Sequence, residues 1–165
     1  MMILTNFFRN IEKAKKEINQ KIRSKYYSIL LNNTGKNLTV YGKIIIKAPE
    51  NIRIGENCKI NDNVFIHGAG GVEIADNVTI SAFAKILSIG YETSNWSEIY
   101  DTKIHKFSSV YIGEGTWICC GATILPGVSI IGKGVILAAN TVVAKNIVED
   151  FVVVAGNPAK IVNRY

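Results

Sequence analysis

The feature that most constrains the fold is an aliphatic residue that returns every six positions through most of the chain. An amphipathic helix repeats its apolar positions at three and four, and a plain strand alternates at two, so neither element gives this period. Short strands joined by sharp corners do give it, because each flat side then points one large aliphatic side chain toward a central stack. The recurring residues are Val40, Ile46, Ile52, Ile54, Ile60, Ile66, Val72, Ile74, Ile80, Ile86, Ile112, Ile118, Ile124, Ile130, Leu137 and Val143.

A second, longer period supports the same interpretation. Residues 46–60, Ile-Lys-Ala-Pro-Glu-Asn-Ile-Arg-Ile-Gly-Glu-Asn-Cys-Lys-Ile, match residues 66–80, Ile-His-Gly-Ala-Gly-Gly-Val-Glu-Ile-Ala-Asp-Asn-Val-Thr-Ile, at a displacement of twenty residues. Repeats of this size are typical of solenoids, in which each coil stacks on the previous one at the spacing of β-strands. We therefore predict an all-β solenoid whose functional residues lie on its outer surface.

Short polar triplets stand between the aliphatic positions and predict the corners of the coils. They are Gly-Glu-Asn at 55–57, Asn-Asp-Asn at 61–63, Ala-Asp-Asn at 75–77 and Gly-Glu-Gly at 113–115. Gly and Asn tolerate a positive φ, and Asp and Asn bond their own backbone, as a tight corner requires.

The N-terminal arm, residues 1–36, differs from the rest in both charge and period. It holds eight basic residues against two acidic ones, so the whole formal net charge of +6 belongs to it. Its apolar residues step by three or four, which predicts an amphipathic helix ahead of a solenoid domain over residues 37–165. These apolar residues are Phe7, Ile11, Ala14, Ile18, Ile22, Tyr26 and Ile29.

Two roles for this helix stay open. It can lie on the end of the solenoid and cover the exposed apolar coil, as terminal caps must. Alternatively, its basic face can rest near an anionic membrane or an anionic substrate. Nucleic acid is a poorer candidate, because the basic residues are not joined to any stacking or groove-reading motif.

Composition narrows the class of protein further. A chain of 165 residues predicts one domain with a continuous core. No apolar run approaches the length of a membrane span, and the first residues lack the order of a signal peptide. Three cysteines, Cys58, Cys119 and Cys120, do not form a disulfide framework, which favours a reducing cytoplasm. Cys58 falls in a small inward slot of the repeat, so we expect it in the core.

The repeat breaks between Ile86 and Ile112, and the segment of about residues 88–109 is polar and aromatic. A segment that abandons the repeat must leave the solenoid wall, so we expect one extruded loop there, and such loops usually carry function. The loop contains His105, whose neutral imidazole can accept a proton from a hydroxyl at physiological pH.

The corner chemistry and the period together resemble a known family. Aliphatic-Gly-x-x-small-x is the hexapeptide repeat of left-handed parallel β-helix acyltransferases, and the resemblance covers roughly residues 40–163. It is strongest over residues 112–128, Ile-Gly-Glu-Gly-Thr-Trp-Ile-Cys-Cys-Gly-Ala-Thr-Ile-Leu-Pro-Gly-Val, and over residues 152–162, Val-Val-Val-Ala-Gly-Asn-Pro-Ala-Lys-Ile-Val. The resemblance implies a left-handed β-helix and a homotrimer with active sites between subunits. An acyl-coenzyme A would lie along each intersubunit groove, with a histidine as base.

The resemblance also implies which histidine that base is. In similar sugar and serine acetyltransferases an extruded loop supplies it shortly before the Ile-Gly-x-x-x-Trp coil, which corresponds to His105 here. One subgroup has Thr-His-Pro or Asp-His-Ser at the start of this loop, where residues 89–94 of this chain, Ile-Gly-Tyr-Glu-Thr-Ser, contain no histidine. His67, in a glycine-rich corner, is expected at the rim of the substrate site. The other candidate substrate-binding residues are Tyr91, Asn95, Trp96 and Tyr100, whose aromatic members could stack on a sugar ring.

The acyl carrier's site follows from the same resemblance. The pantetheine arm would contact backbone groups of Cys120, Gly121 and Ala122, where Cys119 and Cys120 replace the family's usual Gly-Ala or Gly-Ser. A backbone N–H in this coil could stabilise the anionic carbonyl oxygen of the transition state. The remaining candidate cofactor-binding residues are Ala139, Ala144, Lys145, Lys160 and Arg164. The three basic ones would face phosphate, and Ala144 stands where threonine is common. A nucleophilic role for Cys119 or Cys120 is an alternative.

The sequence therefore predicts an acetyl-CoA-dependent acetyltransferase acting on a hydroxyl of a sugar or glycan precursor, as in surface polysaccharide biosynthesis. Alternatives are a nucleotide-amino-sugar N-acetyltransferase and a non-catalytic β-helix scaffold. A γ-type carbonic anhydrase shares the fold but needs three histidines around zinc, and this chain has two histidines and no Cys-x-x-Cys, so we expect no metal site. We expect a cytoplasmic protein, with peripheral association of the arm with a membrane as one option.

Overall fold

The computed structural model describes residues 2–31 and 34–165, with side chains from residue 8 onward. It is a parallel β-solenoid of about six turns preceded by one long helix, α1, over Met2–Leu31. The predicted fold class is thus confirmed. The strands are β1 Thr39–Val40, β2 Ile45–Lys47, β3 Ile52–Ile54, β4 Lys59–Ile60, β5 Phe65–His67, β6 Val72–Ile74, β7 Thr79–Ile80, β8 Lys85–Leu87, β9 Ile89–Tyr91, β10 His105–Phe107, β11 Val110–Ile112, β12 Trp117–Ile118, β13 Thr123–Ile124, β14 Ser129–Ile130, β15 Ile136–Leu137, β16 Val142–Val143, β17 Val152–Ala155 and β18 Lys160–Arg164.

The coils form three sheets, which we number in the order in which each coil visits them. Sheet 1 has the order β1-β4-β7-β12-β15-β17-β18, sheet 2 contains β2, β5, β8, β13 and β16, and sheet 3 contains β3, β6, β11 and β14. We name the corners by the sheets they join: 1/2, 2/3 and 3/1. Residues at the same corner of successive coils form a column along the solenoid, and these columns position the candidate site.

The recurring aliphatic residues form the core, as predicted. All but Ile46, which is half-buried, are buried. The twenty-residue repeat sets the strand register, since Ile46 pairs with Ile66 and Ile60 with Ile80. Cys58 is 1% exposed, and burial raises the pKa of its thiol, so the expected core position is confirmed. The corners carry positive φ at residues such as Asn57, Asn77 and Asn140.

Helix α1 closes the first coil with its last two turns. Leu31 and Tyr27 join the core, and the Tyr27 hydroxyl donates a hydrogen bond to the Ile44 carbonyl oxygen at 3.0 Å while accepting one from the Ile44 N–H. The Val40 N–H donates to Ser24 Oγ at 2.9 Å. These side chains satisfy backbone groups of the first coil, which would otherwise be an open sheet edge.

The face of α1 that packs is not the one expected for a cap. Ile18, Ile22, Tyr26 and Ile29, the apolar row read from the sequence, are all exposed. Ile11 is half-buried and Ala14 exposed, while the side chain of Phe7 lies outside the described residues. The capping contacts instead come from the opposite side of the helix, where an apolar pair is combined with hydrogen-bonding side chains.

The interruption of the repeat is a hairpin rather than a plain loop. Strands β9 and β10 pair antiparallel, with His105 opposite Tyr91, and a short helix, α2, Trp96–Ile99, lies at the tip. The coil closes beneath it, because β11 pairs with β6 through Ile112 and Ile74. The extruded loop predicted over about residues 88–109 is therefore confirmed, and we call residues 89–107 the extruded hairpin.

Candidate active site

His105 lies on β10 with an exposed side chain. Its ring stacks on that of Tyr91, with centroids 4.9 Å apart and planes 20° from parallel. The ring of Phe107, two residues on and so on the same side of the strand, lies 6.3 Å away. The pairing of β9 with β10 thus places His105 directly opposite Tyr91, in the segment 89–94 that itself contains no histidine.

The base of the hairpin is held by a residue that the sequence analysis missed. Ser88 is fully buried, and its hydroxyl donates to the His67 carbonyl oxygen and accepts from the Gly70 N–H at 2.9 Å. The Ser88 carbonyl oxygen accepts from the Ser108 N–H at 2.9 Å. Ser88 therefore ties both ends of the hairpin to the glycine-rich corner of the preceding coil. The role of this single serine could not be predicted from the sequence, because its hydrogen-bond partners lie in the preceding coil and depend on how the coils stack.

Glu92, next to Tyr91, holds the outer part of the hairpin. Its carboxylate accepts from the backbone N–H groups of Ser94 and Thr93, each at 2.9 Å, and pairs with Lys106 Nζ at 3.0 Å. These hydrogen bonds, that from Ser94 foremost, lower the pKa of Glu92 to about 2. Glu92 is consequently a fixed anion near neutral pH and a poor proton acceptor, whereas an imidazole titrates near neutrality.

The other predicted substrate-binding residues lie in the hairpin, except His67, which lies beside it. Tyr91, Asn95, Trp96 and Tyr100 are all exposed, with Asn95 at the start of α2. His67 ends β5 on the outer face of sheet 2, where its Nδ1 accepts from the Ala69 N–H at 3.4 Å. Its backbone is bonded to Ser88, so His67 lies beside the base of the hairpin.

Three predicted acyl-carrier residues occupy one turn at corner 1/2. Ala122 is buried, and its N–H donates to Cys119, while the Gly121 N–H donates to Ala82. Cys120 is exposed, and its N–H donates no hydrogen bond to any residue that the structure describes. Of the three backbone N–H groups in this turn, that of Cys120 is therefore the one free to bind a ligand.

The half-buried thiol of Cys119 fits a packing role. All three cysteines are free. Burial raises the pKa of Cys119, with a further contribution from Cys120, so this thiol is protonated at neutral pH. A thiolate rather than a thiol is the nucleophile in covalent catalysis. The nucleophile hypothesis therefore finds no support at Cys119.

The remaining acyl-carrier residues divide between two columns. Ala139 continues the corner 1/2 column in the next coil, where the Asn140 N–H donates to the Cys120 carbonyl oxygen. Lys160 pairs with Ala155 at the end of sheet 1 that leads into the same column. Ala144 and Lys145 instead follow β16 at corner 2/3, on the side of the extruded hairpin.

Arg164 stands apart from the other basic candidates. It pairs with Val152 at the opposite end of β18 from Lys160. Its guanidinium holds Glu149 in two hydrogen bonds, at 2.8 and 3.2 Å, which raise the pKa of Arg164. Lys145 and Lys160 form no ion pair with any described residue. Lys160 is therefore the more available partner for a phosphate.

Within one chain the candidate base and the predicted acyl-carrier strip lie at different corners of the solenoid. The hairpin lies over corner 2/3, where a Cβ at Gly90 would come within 3.7 Å of Pro126. Gly121 precedes β13 at corner 1/2 and Pro126 follows it at corner 2/3, at most about 16 Å apart along the extended chain. A general base and an oxyanion donor acting on one reacting centre must each approach it within about 3 Å.

A groove beside the hairpin is a second feature that the sequence analysis missed. It has a volume of about 560 Å³ and is bordered by the hairpin residue Phe107 and the outward side chains of sheet 3. Arg53, Glu73 and Tyr111 stand in register on neighbouring strands along its floor. Phe107, which borders the groove, has its ring 6.3 Å from that of His105, so the histidine lies near one end of the groove. In the sequence, Arg53 and Glu73 look like ordinary solvent-exposed charges of a strand, so the groove that they share could not be predicted.

No group of three or more His, Cys, Asp or Glu side chains that could hold a metal ion occurs in the described part of the chain.

Comparison with known proteins gives several relatives. A lipopolysaccharide biosynthesis O-acetyltransferase by name, WbbJ of Escherichia coli K12, is 30% identical over 81% of this chain and 68% of its own. A dTDP-4-amino-4,6-dideoxy-D-glucose acyltransferase of E. coli is 31% identical over 78% of this chain and 79% of its own. A protein of Saccharomyces cerevisiae named as an acetyltransferase is 36% identical over 69% of this chain, but only 56% of its own length is matched.

The fold is also shared with solved structures. A galactoside acetyltransferase in complex with coenzyme A superimposes with a TM-score of 0.74 at 25% identity, covering 88% of this chain and 80% of that one. No protein-family profile matches the chain.

Proposed function

Because the chain belongs to the hexapeptide-repeat acetyltransferases, we propose that it transfers an acetyl group from acetyl-CoA to a hydroxyl of a sugar or glycan precursor. The observation that carries the proposal is the exposed His105, which stacks on Tyr91 and lies 6.3 Å from Phe107 at the border of an open groove. A base at the edge of a groove wide enough for a sugar is the arrangement that hydroxyl activation needs.

In the proposed reaction, His105 accepts the proton of the acceptor hydroxyl as its oxygen attacks the thioester carbonyl carbon. The carbonyl oxygen becomes anionic, and the free N–H of Cys120 donates a hydrogen bond to it. When the C–S bond breaks, the imidazolium returns the proton to the sulfur of coenzyme A, so His105 ends neutral. Holding both substrates in one site supplies the proximity that a two-substrate reaction otherwise lacks.

The separation of His105 from the Cys120 turn supports a site made by two chains. If corner 2/3 of one chain faces corner 1/2 of its neighbour, the hairpin of the first closes over the acyl-carrier strip of the second. A homotrimer gives three such contacts by one repeated interface. The exposed aromatic side chains of the hairpin, Trp96 and Tyr100, are suited to the acceptor or to such a neighbour.

Acceptor chemistry is proposed from the groove and the relatives together. WbbJ is named as an O-acetyltransferase of lipopolysaccharide biosynthesis, which supports a glycan hydroxyl as the acceptor and a role in surface polysaccharide biosynthesis. The dTDP-amino-sugar acyltransferase supports the alternative of an amine acceptor. An amine needs less help from a base than a hydroxyl does, so the exposed histidine favours the hydroxyl. A non-catalytic scaffold would need neither the groove nor the exposed histidine.

Turnover with matched acceptors tests the reaction. Coenzyme A release is measured with acetyl-CoA and pairs of nucleotide-linked and free sugars that differ only in carrying a hydroxyl or an amine at one position. We expect acetylation of hydroxyl acceptors. Exclusive acetylation of the amines would support the alternative of an N-acetyltransferase. No turnover with any of these acceptors would overturn the proposed sugar acceptor.

Mixed oligomers test the shared site. His105→Ala chains, which lack the base, are co-assembled with Ala139→Trp chains, whose exposed substitution blocks the acyl-carrier strip. If two chains form each site, mixing two inactive proteins restores part of the activity. Sedimentation as a monomer, or no recovery in mixed oligomers, would place the whole site in one chain.

A further inference from the structure

Helix α1 carries an apolar stripe that no part of its own chain covers. Ile18, Ile22, Tyr26 and Ile29 are 57–66% exposed, far more than any residue of the core. At 100° per residue, their spacing of four, four and three places them on one side of the helix. We call these four residues the α1 stripe.

The α1 stripe points away from the solenoid. The side that packs contains Ser24, Tyr27 and Leu31, which bind the first coil. On a helical wheel this side lies roughly opposite the stripe. The solenoid already uses the other face, so the stripe cannot be covered by a shift of the helix without loss of the cap.

The surroundings of the stripe are strongly basic. At 100° per residue, the exposed Lys15, Lys21 and Lys25 lie within about 100° of the centre of the stripe. Lys13 and Lys16 are also exposed but lie farther round the helix, with Lys13 on the side opposite the stripe. The arm carries the entire formal net charge of +6, while the solenoid is neutral overall. A second copy of the helix packed on the stripe would bring like charges together, which is unfavourable. An anionic partner gains both from the charges and from burial of the stripe.

The combination of exposed isoleucines and lysines favours a lipid surface over a nucleic acid as the anionic partner. Nucleic acids are bound through stacking or groove-reading groups, and three of the four stripe residues are isoleucines, which have no π-face to stack on bases. A lipid surface accepts aliphatic side chains below the headgroups and holds lysines at the anionic phosphates. No helix among the described residues is long and apolar enough to cross a membrane, so α1 would lie in the plane of the surface.

We propose that α1 binds the surface of an anionic lipid bilayer, with the α1 stripe inserted below the headgroups and the lysines at the lipid phosphates. The helix is fixed to the first coil through Ser24 and Tyr27. Binding of α1 therefore holds the whole solenoid, including the candidate active site, at the membrane surface. Membrane binding through α1 does not depend on which acceptor the enzyme uses.

Vesicle sedimentation with the full chain tests the proposal. Phosphatidylcholine vesicles are compared with vesicles that also contain phosphatidylglycerol, and the protein should bind only the second kind at moderate salt. Ile22→Ser with Ile29→Ser should weaken this binding about tenfold or more, as expected for two inserted aliphatic groups. Lys15→Gln, Lys21→Gln and Lys25→Gln together should weaken it about a hundredfold.

The matched control is Ile131→Ser with Val148→Ser, which removes two equally exposed aliphatic residues from the solenoid surface. It should leave vesicle binding unchanged. All these substitutions are at exposed positions, so circular dichroism should show a folded chain in each variant. Turnover of a small soluble acceptor should also stay the same, because none of the substituted residues belongs to the catalytic or binding machinery.

Other results would overturn the proposal in different ways. If only the lysine variant loses vesicle binding, the stripe does not insert. If the isoleucine variant changes the sedimenting mass of the protein but not vesicle binding, the stripe is an interface between copies of this chain. If the protein ignores phosphatidylglycerol vesicles but binds a single-stranded RNA through the same lysines, the partner is a nucleic acid.

Discussion

The stacked coils and the extruded hairpin are built on opposite principles. The inward aliphatic residues of the coils are almost completely buried, whereas none of residues 89–107 is buried. The coils gain their stability from apolar burial, and the hairpin is held by a few hydrogen bonds at its base and by Glu92. Stability and chemistry are therefore separated in space, so substitutions in the two regions should fail in different assays.

The largest effect is expected from truncation of the stack. Ile118→Ala removes three carbon atoms from a side chain that is fully buried, which should lower the free energy of unfolding by about 3 kcal/mol or more. Urea unfolding followed by circular dichroism measures it. The matched change in the hairpin, Ile104→Ala, removes the same atoms from a side chain that is 53% exposed and should cost about 0.5 kcal/mol or less. Equal losses would end the distinction between the two regions.

The reverse pattern is expected when the base is removed. His105→Ala should lower kcat/KM by about a hundredfold or more, the scale of losing a general base, which corresponds to about 2.7 kcal/mol in the barrier. The midpoint of unfolding should not move, because His105 is exposed. Steady-state kinetics and urea unfolding of the same preparation measure both.

His67→Ala is the control for this variant, since His67 is the second histidine of the chain and lies beside the hairpin base. It should reduce turnover far less. A larger effect at His67 than at His105 would move the chemistry to the glycine-rich corner, and no effect at either would remove the base from the mechanism.

Ser88 joins the two regions, so its loss should appear in both assays. Ser88→Ala leaves the Gly70 N–H without its hydrogen bond, which should cost about 1–3 kcal/mol. The hairpin base should loosen, giving faster hydrogen exchange over residues 89–107 and a lower kcat with little change in KM. Ser109→Ala, at an exposed serine of the same corner, should change neither. Unaltered exchange in the hairpin of Ser88→Ala would mean that the hairpin is held elsewhere.

The same contrast explains what the sequence could predict. A solenoid maps one-dimensional spacing directly onto stacking, so the six-residue and twenty-residue periods predicted the core and the register of Ile46 with Ile66. The break in the period located the hairpin for the same reason. His105 could be singled out because the interruption contains one histidine.

Features that depend on contacts across the repeat had no such signal. The stacking of His105 on Tyr91 required the hairpin register, and the groove over Arg53 and Glu73 required the alignment of three coils. For α1, the apolar row showed which side was hydrophobic but not which side would pack. The packed side is instead the one where Tyr27 donates a hydrogen bond to the first coil and Ser24 accepts one from it.

A smaller effect should separate the two basic candidates at the end of the solenoid. Lys160→Gln should raise the KM for acetyl-CoA about threefold to fivefold, as for loss of one exposed charge-assisted contact with phosphate. Arg164→Gln should change it less, because Arg164 is already held by Glu149. Steady-state kinetics at low salt measure both. If Arg164 proved the more important, its ion pair with Glu149 would have to open when coenzyme A binds.

The smallest effect concerns the acid response of the hairpin alone. The pKa of Glu92 is lowered from 4.5 to about 2, chiefly by the hydrogen bond from the Ser94 N–H. A lowered pKa in the folded state means that the ionised carboxylate stabilises the hairpin above pH 4.5, and that this contribution is lost as the pH falls toward 2. The fluorescence of Trp96, recorded in a Trp117→Phe background, should therefore change over that window while the circular dichroism of the coils does not. In Glu92→Gln this step should be absent, and its persistence would assign the acid response to a different group.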